Sequence, residues 1–232
     1  MTEVKFVDRS SVWLHDSMGT DRSPVLAALA STGMDASEWP EERVVGLINR
    51  LMKDRHGATF EHVIFTFVVQ TPLFTARQMM RHRIASFNEA SGRYKVLPAT
   101  FYVPPPERPL RQEGKAMDYN FVADDRLHPE IARELQRQAR DQYDSYEWML
   151  GRGCAREIAR VVLGTNIMTE FMVSINLRSL FNVLSLRGKE PGLFPSHPQY
   201  EISQVADHME VAVARMTPIC YDAFVSAGRV AP

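Results

Sequence analysis

Apolar residues recur along this chain at two spacings, and the switches between them predict its elements. Val44, Leu47, Ile48 and Leu51 fall three and four apart, one face of a helix opened by Pro40-Glu41-Glu42. Upstream, Ser23-Pro24 is a cap and first-turn pair for a shorter helix through Val25, Leu26 and Leu29. Residues 63–70 are β-branched and aromatic and predict a strand, after which Thr71-Pro72 opens a helix through Ala76 and Met80. Phe101-Tyr102-Val103 predicts a short strand that stops at prolines. A long polar helix is expected over 129–150 and a second over 155–163, then a strand over 167–175 and a helix over 176–186. A last helix over 199–224 turns Ile202, Val205, Met209, Val213 and Met216 to one side. Strands and helices mix without a βαβ alternation, so the expected fold class is α+β, with mixed helices around an antiparallel-rich sheet.

Length changes this picture little. The 232 residues suffice for one domain, residues 1–232, with a substantial core. The run Pro104-Pro105-Pro106-Glu107-Arg108-Pro109 is the candidate exposed connection within it. Charge is more restrictive. A formal net charge of −1 argues against a general nucleic-acid binder, whose affinity rests on a basic excess. No apolar run reaches the roughly 18 residues of a membrane span, and no signal segment opens the chain. Cys154 and Cys220 form no CxxC pair and fit reduced thiols in a cytoplasmic protein.

The basic residues that are present cluster. Residues 81–94 read Arg-His-Arg-Ile-Ala-Ser-Phe-Asn-Glu-Ala-Ser-Gly-Arg-Tyr, directly after the helix expected from Thr71. Guanidinium groups are permanent cations with a planar fork of donors, suited to phosphate and to the carbonyl edge of a base. A solvated basic face would not need Ser86, Asn88, Glu89, Ser91 and Tyr94 interleaved with the arginines. On a helix, Gln78 and Arg81 lie three apart and Arg77 and Arg81 four apart, so each pair shares a face. A second polar set is Asn176, Arg178 and Asn182, followed by Arg187. At about 100° per residue Arg178 and Asn182 lie together, whereas Arg187 falls about 140° from Asn182 and faces elsewhere.

Residues 81–94 resemble, position for position, the signature of the flavin-dependent thymidylate synthases: Arg81, His82, Arg83, Ser86, Asn88, Glu89, Ser91, Arg93 and Tyr94 all match. The resemblance runs from about Ser23 to the last helix. It implies reductive methylation of dUMP to dTMP, with methylenetetrahydrofolate as carbon donor and NADPH-reduced FAD as hydride source. It implies a dUMP set of Gln78, Arg81, Glu89, Ser91, Gly92, Arg93, Arg160 and Arg187, the last polarising the uracil. It implies an FAD set of Ser31, Glu61, Arg81, His82, Arg83, Glu89, Asn176, Arg178 and Asn182. His56 matches a residue near the flavin, and its role stays open between proton transfer and flavin placement. Ala58 stands where relatives commonly carry threonine. The resemblance also implies a homotetramer with sites completed by neighbouring subunits. Met209, Val211, Val213, Met216, Phe181 and Leu184 are the apolar candidates for its contacts.

The chemistry is consistent with these residues. Neither cysteine sits in a nucleophile motif, so the uracil ring would be activated electrostatically, by Arg187, rather than by thiolate addition. Ser91 reads as a dUMP ligand in preference to a nucleophile. The segment His56-Gly57-Ala58-Thr59-Phe60-Glu61-His62 lacks metal-ligand spacing, and no metal is expected. Glu157 and Arg160, three apart, have the spacing of an ordinary helical ion pair. After Arg187 about six residues more than in relatives, among them Pro191, Gly192 and Pro195, precede Ser196-His197-Pro198-Gln199-Tyr200-Glu201-Ile202. Two competing readings remain. One is a non-catalytic nucleotide or RNA-binding module in which Phe87 and Tyr94 stack bases; the other is a flavin oxidoreductase without methyl transfer. The second polar helix disfavours the first, and the dUMP set disfavours the second.

Overall fold

A computed structural model describes residues 2–115, 118–122, 124, 126–194 and 196–232. Strands β1 (Lys5–Val7) and β2 (Ser11–Met18) precede helices α1 (Arg22–Leu29) and α2 (Glu41–Lys53). A 3₁₀ turn, Gly57–His62, leads into β3 (Ile64–Pro72) and α3 (Leu73–Met79). Then come β4 (Ser86–Glu89), β5 (Thr100–Tyr102), β6 (Arg111–Lys115), β7 (Asp118–Val122) and the 25-residue α4 (Leu127–Gly151). The chain closes with α5 (Arg156–Ala159), the 3₁₀ turn Arg160–Val162, β8 (Met168–Asn176), α6 (Leu177–Arg187), α7 (Tyr200–Met216) and α8 (Pro218–Ser226). These elements form two compact units. The first is Met1–Arg9, Thr71–Ala76 and Ala90–Thr169; the second is Ser10–Gln70, Arg77–Glu89 and Glu170–Pro232.

In the first unit β1 lies parallel to β5, with Phe6 opposite Phe101. Ala139, Tyr143 and Tyr146, spaced three and four apart on α4, bury one face against Phe101, Ala159 and Ile167. Phe101 meets Tyr143 edge-on at 6.2 Å. A buried phenol needs a partner for its hydroxyl. Tyr143 donates to the Leu97 carbonyl at 2.9 Å, and the Tyr146 hydroxyl accepts the Leu97 N–H at 3.2 Å. The two tyrosines thereby hold the backbone just beyond Arg93.

The second unit is built on a four-stranded sheet in the order β2-β3-β8-β4. β2 pairs antiparallel with β3, and β4 antiparallel with β8. Period-two alternation sends Phe65, Phe67 and Val69 of β3, and Phe171, Val173 and Ile175 of β8, into the core. Helix α7 packs against β2 and α6, and α2 against α8. Strand β8 passes directly into α6 because the Asn176 carboxamide accepts the Ser179 N–H at 2.8 Å, a side-chain N-cap.

The α+β class and most of the expected helices are found. The differences have physical causes. The helix after Thr71 stops at Met79, and Ser86–Glu89 of the signature is a strand, because its backbone completes the edge of the sheet beside β8. Phe87 consequently packs on Phe171 at 5.8 Å and is not a base-stacking platform. The expected last helix breaks at Thr217, since Pro218 has no N–H to continue it and instead starts α8. Helix α1 starts at Arg22, so Ser23 lies inside it rather than capping it. The expected 155–163 helix is a short α-helix followed by a 3₁₀ turn. Pro104 and Pro105 are buried rather than exposed, and the Pro104 carbonyl accepts from the His128 ring at 2.7 Å. Phe181, Leu184, Met209 and Val213 lie in the chain's own core, which removes them as assembly contacts; Val211 and Met216 stay exposed.

Candidate active site

Arg187 ends α6, and the helix sets its direction. Its Nε lies 3.4 Å from His82 Nε2, at the far end of an acceptable bond. Burial, reinforced by the charge of Arg81, lowers the Arg187 pKa, yet a guanidinium remains cationic at neutral pH. No carboxylate among the described residues pairs with Arg187 or Arg81, so the two neighbouring cations repel each other without an ion-pair partner. An anionic or carbonyl-rich ligand would relieve that repulsion.

His82 is the acceptor that orients Arg187. Burial, and then the charge of Arg187, lower its pKa below the ordinary histidine value, which keeps the imidazole neutral and able to accept. A depressed folded-state pKa means that the unfolded chain binds the proton more readily. This contribution to stability is complete above about pH 6.5 and is lost as pH falls through the lower folded value. The expected consequence is an acid limb in the pH profile of kcat/KM with its midpoint below 6.5. Replacing His82 by glutamine should remove that limb; an unchanged limb in His82→Gln would show that another group titrates.

Gln78 lies one residue before the end of α3, and the Arg81 N–H closes a turn on its carbonyl at 3.3 Å. Its side chain donates to Gln199, whose amide donates at 2.8 Å to the buried carboxylate of Glu201. These two supporting residues were not among the sequence candidates. Their signal was the Gln-x-Glu spacing at the start of α7, which served only as a landmark.

The second polar set gathers around Arg178. Its Nη1 donates to Glu61 at 2.7 Å and its Nε to the Pro232 carbonyl at 3.0 Å. A Cβ on Gly57 would run into the Arg178 guanidinium and fall 2.8 Å from the Pro232 backbone oxygen, so a larger residue there would have to displace one of them. Asn182, one turn along, donates to the Arg178 carbonyl at 3.1 Å and is exposed. Asn176 spends its oxygen on the helix cap. Arg178 and Arg187 therefore engage different partners from one helix, as the angular spacing predicted. Arg178 and Glu61 are both about two-fifths exposed, so their ion pair is weak and exchangeable. A half-exposed arginine with amide donors beside it suits an oxyanion, the chemistry that the phosphates of FAD present.

The remaining residues of this unit are less tightly gathered. His56 is exposed at the head of the 3₁₀ turn, where its carbonyl accepts from Thr59. Ser31 donates to the Ala28 carbonyl inside the turn after α1, and no bond among the described residues links it to Arg178. Arg83 is exposed beyond His82, and Glu89 ends β4 half-buried.

In the first unit, Ser91, Gly92 and Arg93 form a tight turn in which the Ser91 hydroxyl accepts the Arg93 N–H at 3.2 Å. Gly92 is buried beneath the stem of Arg160, with room for a Cβ only 3.0 Å from Arg160 Cδ. Arg93, not Arg160, takes Glu157, at 2.9 Å. The helical pair expected from spacing is absent because α5 ends at Ala159 and Arg160 turns toward Gly92. Both partners of the Arg93–Glu157 pair are about half exposed, so the pair would yield to a phosphate at little cost. Pro195 of the longer loop lies outside the described residues.

Comparison with known proteins places these features in a group. A family model described as thymidylate synthase complementing protein matches residues 13–219. The flavin-dependent thymidylate synthase of Streptomyces avermitilis is 42% identical over 219 residues, covering 91% of this chain and 89% of that protein. The enzyme of the same description from Tropheryma whipplei is 38% identical over 232 residues, covering 98% and 97%. Crystal structures of a UMP/dUMP methylase, PolB from Streptomyces cacaoi, superpose with TM-scores of 0.92 with bound 5-Br UMP and 0.93 with bound 5-Br dUMP. The first shares 41% identity and covers 99% of each chain.

Proposed function

Because the chain belongs to the flavin-dependent thymidylate synthases, we propose that it methylates dUMP reductively to dTMP, with methylenetetrahydrofolate as carbon donor and NADPH as reductant. When bound, FAD would supply the hydride that completes the methyl group. The chain's own part is electrostatic and positional. Arg187, oriented by neutral His82, would stabilise negative charge as it develops on the uracil amide and oxygens, making the ring carbon nucleophilic without a thiolate. Gln78, Arg81, Glu89, Ser91, Gly92, Arg93 and Arg160 would hold the nucleotide. The fixed turn at Ser91 would present backbone and Arg93 to its phosphate. Ser31, Glu61, His82, Arg83, Asn176, Arg178 and Asn182, with Arg81 and Glu89 shared, would hold FAD. His56, exposed at the head of the 3₁₀ turn, would serve proton transfer or flavin placement.

The observation that carries this reading is the half-buried Arg187 held by a neutral imidazole beside Arg81, with no carboxylate paired to either arginine among the described residues. Cytoplasmic location fits the two free thiols and the reduced pyridine nucleotide. A homotetramer would complete the sites. A second reading, acceptance of UMP as well as dUMP, is favoured by the methylase bound to both brominated nucleotides.

The test is spectroscopic. Protein supplied with FAD should retain it through gel filtration, release it on denaturation and lose its flavin absorbance when NADPH is added without oxygen. The loaded protein should sediment as four chains of 26.4 kDa. Protein that retains no FAD would end the proposal, and a fully active monomer would end its assembly.

A further inference from the structure

We infer that residues 229–232 form a strap that fixes the side chain of Arg178, with Arg229 as the positioning residue that anchors it. This rests on reading Arg178 as a flavin ligand and adds a determinant of flavin affinity outside the signature. The anchor is built into the core. Arg229 is 6% exposed and adopts a left-handed backbone (φ 58°), a conformation that non-glycine residues seldom hold without compensation. The compensation is visible. Its two terminal nitrogens bind both oxygens of Glu210 at 2.7 and 2.8 Å, and Tyr221 donates to the same carboxylate at 2.7 Å. The Arg229 N–H bonds the Phe224 carbonyl at 2.9 Å and its guanidinium lies over the Phe224 ring. Phe224 in turn stacks on Phe181 of α6 at 4.4 Å. The anchor is thus tied to the helix that carries Arg178.

The longer loop after Arg187 covers this anchor. The Leu193 N–H bonds the Gly228 carbonyl at 2.7 Å. A Cβ on Gly188 would come within 3.1 Å of Arg229 Nη2, and one on Gly192 within 2.8 Å of the Gly228 carbonyl oxygen. The two glycines therefore let the loop lie on the strap. From this clamp the chain runs three residues, and the Pro232 carbonyl accepts Arg178 Nε while Glu61 takes Nη1. The Pro232 carbonyl holds Nε and Gly57 lies against the group, so the guanidinium is restrained there, while the exchangeable Glu61 pair leaves Nη1 and Nη2 as donors for a ligand. A long flexible side chain fixed in advance binds its ligand more tightly, because the ordering cost is met on folding.

The experiment measures FAD dissociation from the loaded protein, by flavin fluorescence on dilution, and dUMP binding to the FAD-saturated protein. Deleting residues 230–232 leaves Arg229 and its clamp intact. The expected result is FAD affinity about tenfold weaker, with dUMP affinity and melting temperature unchanged. Gly192→Ala, which must push the loop off the anchor, should act in the same direction and decides the matter if the deletion fails to fold. Unchanged or tighter FAD binding in the folded variants would overturn the strap. Arg178→Ala separates the two levels. If it loses FAD while the others do not, the strap alone fails; if it keeps FAD, the flavin role of Arg178 fails.

Discussion

Arg187→Ala is expected to lower dTMP formation about a thousandfold while FAD stays bound. The size follows from where the charge sits. A cation aimed at developing negative charge in a partly desolvated site contributes most in the transition state, and removing one such donor typically costs about a hundred- to thousandfold. Here burial and Arg81 already raise the cost of the charge, so the protein maintains Arg187 against its own electrostatics. The sparing of FAD follows from geometry. Arg187 meets His82, whereas Arg178, on the same helix, meets Glu61 and Pro232. Flavin content per chain and single-turnover dTMP yield, measured together, check both halves. Equal flavin loss in Arg187→Ala and Arg178→Ala would sink the division of labour.

The second large effect is on stability. Glu210→Ala should lower the unfolding free energy by about 3–5 kcal/mol, because it strands a buried guanidinium. Arg229 and Glu210 are only 6% and 11% exposed, and Arg229 Nε is already buried without a partner. Burial pushes the Glu210 pKa up, but the Arg229 and Tyr221 bonds outweigh it and hold the carboxyl below its ordinary range. The pair's contribution is therefore present above the unfolded pKa and is lost as pH falls through the lowered folded one. Replacing both residues, Glu210→Leu with Arg229→Met, should cost much less than either alanine substitution, since no charge is left unpaired. Urea denaturation of the single and double variants checks this; a double variant as unstable as Glu210→Ala would contradict it.

What could be read from sequence followed the strength of periodicity. Helices α2, α6 and α7 carry apolar residues three and four apart, and β3 carries aromatics two apart, so their positions were legible. β4 was not, because Ser86-Phe87-Asn88-Glu89 has no apolar run and becomes a strand only through pairing with β8. Strands β6 and β7 show no buried face among their described residues to announce them. Site residues divide the same way. The signature and the Arg178, Asn182 and Arg187 spacing were visible because the chemistry is concentrated locally. The supports were not: Gln199 reaches Gln78 across 121 positions, and Pro232 reaches Arg178 across 54. Such long-range bonds leave no local pattern. Arg93's choice of Glu157 over the nearer spacing of Arg160 likewise depends on where α5 ends.

The most direct test is product formation under single turnover. FAD-loaded protein reduced with NADPH and mixed anaerobically with dUMP and methylenetetrahydrofolate should yield dTMP, with reoxidation of the flavin in step with product and no thymidylate when FAD, NADPH or the folate is omitted. Flavin that binds and reduces normally while dUMP is recovered unchanged would contradict the assignment of this site to reductive methylation.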